Sequence, residues 1–384
     1  YTPGHHEVTD TLIMYGLVKV IKTAEPLAKI NVVPFGERFL VEIDLTETEL
    51  LKCFRKVGKS ILENIIKTSL HSNLSSLRAH MLQRGNEGGR NVQIINGRLD
   101  YRNQGKDGQL ENIYHSYKFL EQINEKLWKD VSLSEEHKFS TGSKGAKIKC
   151  GGRSRTKTLI TANLPIAPYA GTVQKIGSFY LCKLCSALAW IGLWYFSARV
   201  TVKGKNMQNT YMHLIKPESP VQGEFVLMSE NIGQISNVQD AIIRKDIPLL
   251  SMPFILLAFG ETSAAMLKAQ WKSLMYVISS ERRGPNWKAA IRSYCTYPIN
   301  GLMSFFEKAK IYSPNVARLT HTLLPKRKDD SLDGVQALSM FSEAIIYKDI
   351  DLLYRAIRSM NNVLQSKQNV LDNGIIKAAF EICG

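Results

Sequence analysis

Apolar residues recur at helical spacing in the first segment, "TDTLIMYGLVKVIKTA" (residues 9–24), behind a Thr-Asp start. The chain then enters "AKINVVPFGERFLVEIDL" (28–45), two β-rich runs joined by Phe-Gly-Glu-Arg, so a helix followed by a hairpin is expected. "TETELLKCFRKVGKSILENIIKTSL" (46–70) opens with Thr46 and Glu49 in capping-box spacing. It continues with Leu50, Leu51, Phe54, Val57, Ile61 and Ile65 on one face, which predicts a long amphipathic helix. From Arg84 to Gly108 the texture changes to Gly, Asn and Arg with one short apolar island, Val92 to Ile95, the mark of a long polar loop or an irregular hairpin. Helical spacing returns in "QLENIYHSYKFLEQINEKLWKDV" (109–131). A cation-rich stretch follows, then "TLITANLPIAPYAG" (158–171), which alternates like a strand until its prolines, a helix over 178–195, and two strands around the Lys-Gly-Lys-Asn turn of residues 203–206. Beyond about Asn237 the pattern reads as almost wholly helical, cut by Pro248, Pro253, Pro285, Pro298, Pro314 and Pro325. No period indicates a solenoid. The expected fold is α+β: a mixed body over 1–236 with small antiparallel sheets and two basic Gly/Asn-rich insertions (84–108 and 138–158), then a C-terminal α-helical bundle over 237–384.

Composition agrees with a folded chain, since 384 residues with 44% hydrophobic content suffice for real cores. Charge narrows the partners: 50 Lys+Arg against 34 Asp+Glu gives a formal +16, which points to nucleic acid and also fits a basic membrane-surface protein or a ribosome-associated factor. The apolar runs argue against a membrane span. "SALAWIGLWYF" (186–196) is too short and is bracketed by Lys183 and Arg199, and "IPLLSMPFILLAFG" (247–260) holds two prolines. The start, "YTPGHHEVTD", has no signal-peptide pattern, so an intracellular, cytoplasmic protein is expected. Six scattered cysteines do not form a secreted disulfide framework.

Motifs of common enzymes are absent from the sequence: no phosphate-binding Gly-rich loop with its Lys-Ser/Thr, no His-Glu-x-x-His, no Gly-x-Ser-x-Gly and no paired Asp-rich runs. His115, Tyr117, Tyr211, His213 and Tyr297 are polar aromatics on amphipathic elements. Cys182 and Cys185 form one Cys-x-x-Cys; with Cys150, and His137 or His213, they are weak zinc candidates, against the plainer reading of two small hydrophobes on one buried helix face. The stretch Lys138–Lys157 carries seven basic residues (Lys138, Lys144, Lys147, Lys149, Arg153, Arg155, Lys157) and no acid, interleaved with glycines that let backbone N–H groups approach phosphates. In the first insertion Arg90 accompanies Asn91, Asn96 and Asn103, amide side chains of the type that reads base edges. A third patch, "SSERRGPNWKAAIRSY" (279–294), sets Arg282, Arg283, Lys288 and Arg292 around Trp287 at what reads as a helix entry. Lys348, Arg355 and Arg358 form a solvated helix face.

The opening "YGLVKVI", the central "APYAGTVQKIGSFYLCKLCSALAWIGLWYFS" (167–197), the strand pair after it and the C-terminal "FSEAIIYKDIDLLYRAIRSM" (341–360) together resemble the archaeal large-subunit proteins of type I-A CRISPR surveillance (Cascade-like) complexes. The resemblance runs over most of the chain and is most specific over Pro168–Ser197. It implies a non-catalytic subunit at one end of a CRISPR-RNA-guided assembly, one that helps recognise the protospacer-adjacent motif and holds unwound target DNA while separate helicase and nuclease subunits cut. Implied partners are target DNA, CRISPR RNA, and the backbone, small and helicase/nuclease subunits. Some relatives carry a fuller cysteine set for zinc; here only one Cys-x-x-Cys and a distant Cys150 stand, so neither zinc ligands nor catalytic residues carry over and no cofactor is expected. The rival readings are a nucleic-acid-processing enzyme, either a nuclease or a zinc-supported RNA-modifying enzyme, and a basic structural protein of ribosomes or chromatin.

Overall fold

The computed structural model describes residues 1–4, 7–36, 38–70, 91–102, 109–131, 139–141, 148–150, 155–158, 179–203, 207–230, 248–259, 264–283, 286–325, 330–364 and 371–384. In chain order these form α1 (Glu7–Ala24), β1 (Ile30–Phe35), β2 (Arg38–Ile43), α2 (Glu47–Cys53), α3 (Lys59–Leu70), β3 (Val92–Ile95), β4 (Arg98–Tyr101), α4 (Gln109–Gln122) and α5 (Glu125–Val131). Next come β5 (Phe139–Thr141), β6 (Ile148–Cys150), β7 (Arg155–Thr158), β8 (Phe179–Cys182), α6 (Lys183–Phe196), β9 (Ala198–Lys203), β10 (Met207–Pro217), β11 (Val221–Gln222) and α7 (Gly223–Met228). The remainder is α8 (Ser251–Phe259), β12 (Trp271–Arg283), β13 (Asn286–Pro298), α9 (Asn300–Tyr312), α10 (Val316–Leu323), α11 (Asp333–Tyr347), α12 (Ile350–Leu364) and α13 (Asn373–Cys383). The α+β class read from the sequence holds. Two compact units interleave along the chain: Tyr1–Phe196 with Pro220–Leu227, and Ser197–Ser219 with Met228–Gly384.

The first unit is organised on α1 and α6, both apolar nearly all round and therefore buried. They cross at glycines. A Cβ on Gly16 would stand 2.0 Å from the carbonyl oxygen of Leu188, and one on Gly192 2.1 Å from that of Leu12, so the two backbones touch where side chains would otherwise separate them. Tyr15 stacks on Phe196 beside the crossing, with ring centroids 4.3 Å apart. The expected hairpin is β1–β2, and β11 joins its other side to give the order β11-β1-β2. The capping box forms as its spacing predicts: the Glu49 carboxylate accepts from Thr46 N–H at 2.8 Å, and Thr46 Oγ1 accepts from Glu49 N–H at 3.3 Å. The single long helix read over 46–70 is in fact interrupted by a π-helical turn, Phe54–Gly58, between α2 and α3. Gly58 fits closely there, since a Cβ on it would lie 3.1 Å from the Leu120 side chain of α4. Ser116 and Ser186 share a buried hydrogen bond of 3.1 Å that ties α4 to α6.

In the second unit the four-stranded antiparallel sheet runs β13-β12-β10-β9. Its long hairpin corrects the reading of an almost wholly helical chain beyond Asn237. β12 lies between two neighbours, and its residues from Leu274 to Val277 are all buried, so it reads as a continuous apolar run in which helix and strand periods cannot be told apart. Of the prolines taken as helix breakers, Pro298 instead ends β13, Pro253 lies inside α8 and Pro314 falls between α9 and α10, while Pro285 lies outside the described residues. The register shifts between Val277 and Ile278, which face Ser293 and Ile291, so Arg292 is the extra residue of a bulge. The helices surround a phenylalanine cluster. Phe254 of α8 meets Phe305 and Phe306 of α9 and Phe341 of α11, with ring centroids 4.9 to 5.7 Å apart.

Candidate nucleic-acid interface

The Asn-rich insertion contains a regular hairpin, β3–β4, whose two-residue loop is Asn96-Gly97 with φ of 50° and 76°. Both values lie in the left-handed region, as a type I′ turn requires, and Asn and Gly are the residues that tolerate it. The turn accounts for the identity of Asn96 without a base contact. Its tip, Ile95 to Arg98, is exposed. Asn91 is fully buried at the base of the hairpin, its N–H donating to the Glu111 carboxylate at 3.3 Å and its carbonyl accepting from Arg102 N–H at 2.7 Å. A base edge has no access to it there. Tyr101 stacks on Tyr114 of α4 at 5.5 Å and docks the hairpin on that helix. Arg90 and Asn103 lie outside the described residues.

The cation-rich stretch is partly sheet rather than loop. Strands β5, β6 and β7 join β8 in the order β5-β6-β8-β7, with β6 and β8 parallel and the other pairs antiparallel. One register row crosses it: Ser140 opposite Lys149, Lys149 opposite Tyr180, and Tyr180 opposite Lys157. Arg155, two positions before Lys157, pairs with Cys182. Three of the predicted cations, Lys149, Arg155 and Lys157, are thus brought onto one small sheet although up to eight positions separate them in sequence. Lys144, Lys147 and Arg153 lie outside the described residues.

Arg282, Arg283 and Lys288 occupy the end of the β12–β13 hairpin, which corrects the helix entry read around Trp287. Arg282 pairs with Trp287, Arg283 with Asn286, and Glu281 with Lys288. Serine, alanine and basic residues over 279–290 give neither period clearly, and the Gly-Pro pair between the strands was the turn signal.

The model of the CRISPR-associated protein family Cas_Csa4 matches residues 1–378. The chain belongs to that family. It is also 23% identical over 319 residues to the CRISPR-associated protein Cas8a2/Csa4 of Methanocaldococcus jannaschii, an alignment covering 79% of this chain and 74% of that one. The family read from the sequence, the large-subunit proteins of type I-A CRISPR complexes, is borne out. No described helix is long and apolar enough to cross a membrane.

Other polar residues of this Cas_Csa4-family chain have packing roles. The Cys-x-x-Cys does not lie on one helix face: Cys182 ends β8 and Cys185 sits in the first turn of α6, whose backbone N–H at Cys185 donates to the Cys182 sulfur at 3.3 Å. Both are buried, and the sulfur caps the helix start. Among the described residues no three His, Cys, Asp or Glu side chains stand together as a metal site. Purified protein is expected to contain no stoichiometric zinc by elemental analysis; stoichiometric zinc that disappears from a Cys182→Ser/Cys185→Ser variant would overturn the packing role. Of the polar aromatics, His115 and Tyr117 belong to the first unit and Tyr211, His213 and Tyr297 to the second. Tyr297 is pushed up by burial and by its hydrogen bond with Cys295. His213, on β10 between Ala198 and Met275, is fully buried with neither ring nitrogen hydrogen-bonded among the described residues, and burial lowers its pKa to about 3.

Proposed function

We propose that this chain is the DNA-binding large subunit of a CRISPR-RNA-guided interference complex, where it helps recognise the protospacer-adjacent motif and holds unwound target DNA without cutting it. The observation that carries this reading is the match of the Cas_Csa4 family to residues 1–378. A formal charge of +16 supports it, because such a surplus favours a polyanionic partner. In this reading the guide RNA reads sequence by base pairing, and the subunit supplies backbone contacts and the start signal. Its partners are target DNA, CRISPR RNA and the backbone, small and helicase/nuclease subunits. Lys149, Arg155 and Lys157, set on strands packed into a folded unit, form the phosphate-contacting group; Lys144, Lys147 and Arg153, read with them from the sequence, lie outside the described residues.

Each phosphate neutralised contributes about −0.9 to the slope of log K against log salt. Replacing Lys149, Arg155 and Lys157 by alanine is therefore expected to flatten the slope by about two to three units in the assembled complex and to weaken all target sequences alike. The test is target-duplex binding titrated between low and moderate salt. An unchanged slope would remove this group from the DNA path, and metal-dependent cleavage by the purified chain would favour the enzyme reading.

A further inference from the structure

Two connections that lie far apart in sequence leave the same end of the second unit's sheet. Lys203, the last residue of β9, stands opposite Gln208, and that row continues through Ser280 to Ala289; the next row runs from Met207 through Glu281 to Lys288. Among the described residues only the β12–β13 hairpin continues past that row, with Arg282 opposite Trp287 and Arg283 opposite Asn286. Four basic positions, Lys203, Lys288, Arg282 and Arg283, consequently fall in four successive rows at one sheet end, where strand alternation sets Lys203 and Arg282 on one face and Arg283 and Lys288 on the other, and Glu281 shares the row of Lys288. Lys203 belongs to a turn whose sequence suggested nothing beyond a reversal of the chain; only the register brings it to the hairpin.

Geometry sets the scale of a ligand. Neighbouring strands lie about 4.8 Å apart, so β9 to β13 spans about 14 Å, and a nucleic-acid strand carries one phosphate per about 3.4 Å of helix axis. The width of that sheet end matches a run of about four nucleotides. We infer that this sheet end is a second phosphate-backbone site, built jointly by Lys203 on β9 and by Arg282, Arg283 and Lys288 on the β12–β13 hairpin, and separate from the group on β6 and β7. The inference rests on the reading of the chain as a nucleic-acid-binding subunit. It adds a site in the second unit and assigns Lys203 to it.

The experiment compares assembled complexes carrying Lys203→Ala, Arg282→Ala/Arg283→Ala and the three changes combined with wild type, by the salt dependence of target-DNA and guide-RNA binding. Lys203→Ala is expected to lower the slope by about one, the arginine pair by about two and the triple by about three, while Lys203→Arg keeps the wild-type value. Photo-cross-linkers placed at positions 203 and 288 should reach the same short run of nucleotides, and the strand they label identifies DNA or RNA as the source of the phosphates. The site is refuted if these changes leave the slope unaltered while the Lys149/Arg155/Lys157 variant flattens it, or if Lys203→Arg loses binding as fully as Lys203→Ala. If no variant of either set moves the slope, the nucleic-acid reading itself fails, and the site with it.

Discussion

A single methyl group added at Gly192 is expected to destabilise the first unit by about 3 kcal/mol. The new Cβ would meet the backbone of α1, 2.1 Å from the Leu12 carbonyl oxygen and 2.8 Å from its carbon, and no side-chain rotation relieves a clash with main chain. Either the helix moves, opening a gap among residues that are fully buried, such as Leu12, Leu188 and Ile191, or the crossing fails. Gly16→Ala makes the reciprocal clash with Leu188 and should cost a similar amount. Because both substitutions force apart the same pair of backbones, the double variant should lose less than the sum of the singles. Urea unfolding followed in the isolated chain measures all three; a loss below about 1 kcal/mol for Gly192→Ala would mean that α1 and α6 do not meet as described.

Acid sensitivity in the second unit should trace in large part to His213. Its imidazole is neutral in the folded chain down to a pKa of about 3, against an ordinary value of 6.5, because burial penalises the charged form. Below pH 6.5 the unfolded chain takes up a proton that the folded chain refuses, so stability falls as pH drops from 6.5 toward about 3. Each pH unit in that window is worth about 1.4 kcal/mol, which makes the loss about 2 kcal/mol by pH 5. His213→Leu removes the proton uptake together with two buried nitrogens that lack hydrogen bonds among the described residues. Its unfolding free energy should therefore match or exceed wild type at pH 7 and pull ahead by about 2 kcal/mol at pH 5. Parallel pH profiles for the two proteins would show that His213 is not held neutral.

What the sequence disclosed follows from how local each signal is. Helix α1, the β1–β2 hairpin and the Thr46/Glu49 cap depend on residues a few positions apart, and all three were legible. The β12–β13 hairpin was not, since a strand buried on both faces, as β12 is from Leu274 to Val277, loses the alternation that marks a half-exposed one. The Asn-Gly pair at residues 96 and 97 is a strong hairpin signal, and the left-handed φ values show the turn at that position. The cations on β6 and β7 announced themselves by density, yet their place in a sheet did not, because lysine and arginine say little about strand and the two strands are only three and four residues long. The contribution of Lys203 depended on pairing partners that no local window contains. Family membership was legible from a contiguous stretch, residues 168–197, that mixes motif with apolar content.

The central claim concerns what this subunit adds to a guided complex, and one measurement addresses it most directly: target-duplex binding by the reconstituted complex, assembled with and without this chain, across duplexes that differ only in the motif flanking the guide-matched sequence. With the chain present, affinity should depend on that motif and fall steeply with salt; without it, motif preference should vanish and binding to duplex weaken while guide RNA stays bound. Equal affinity and equal motif preference in the two assemblies would contradict the claim.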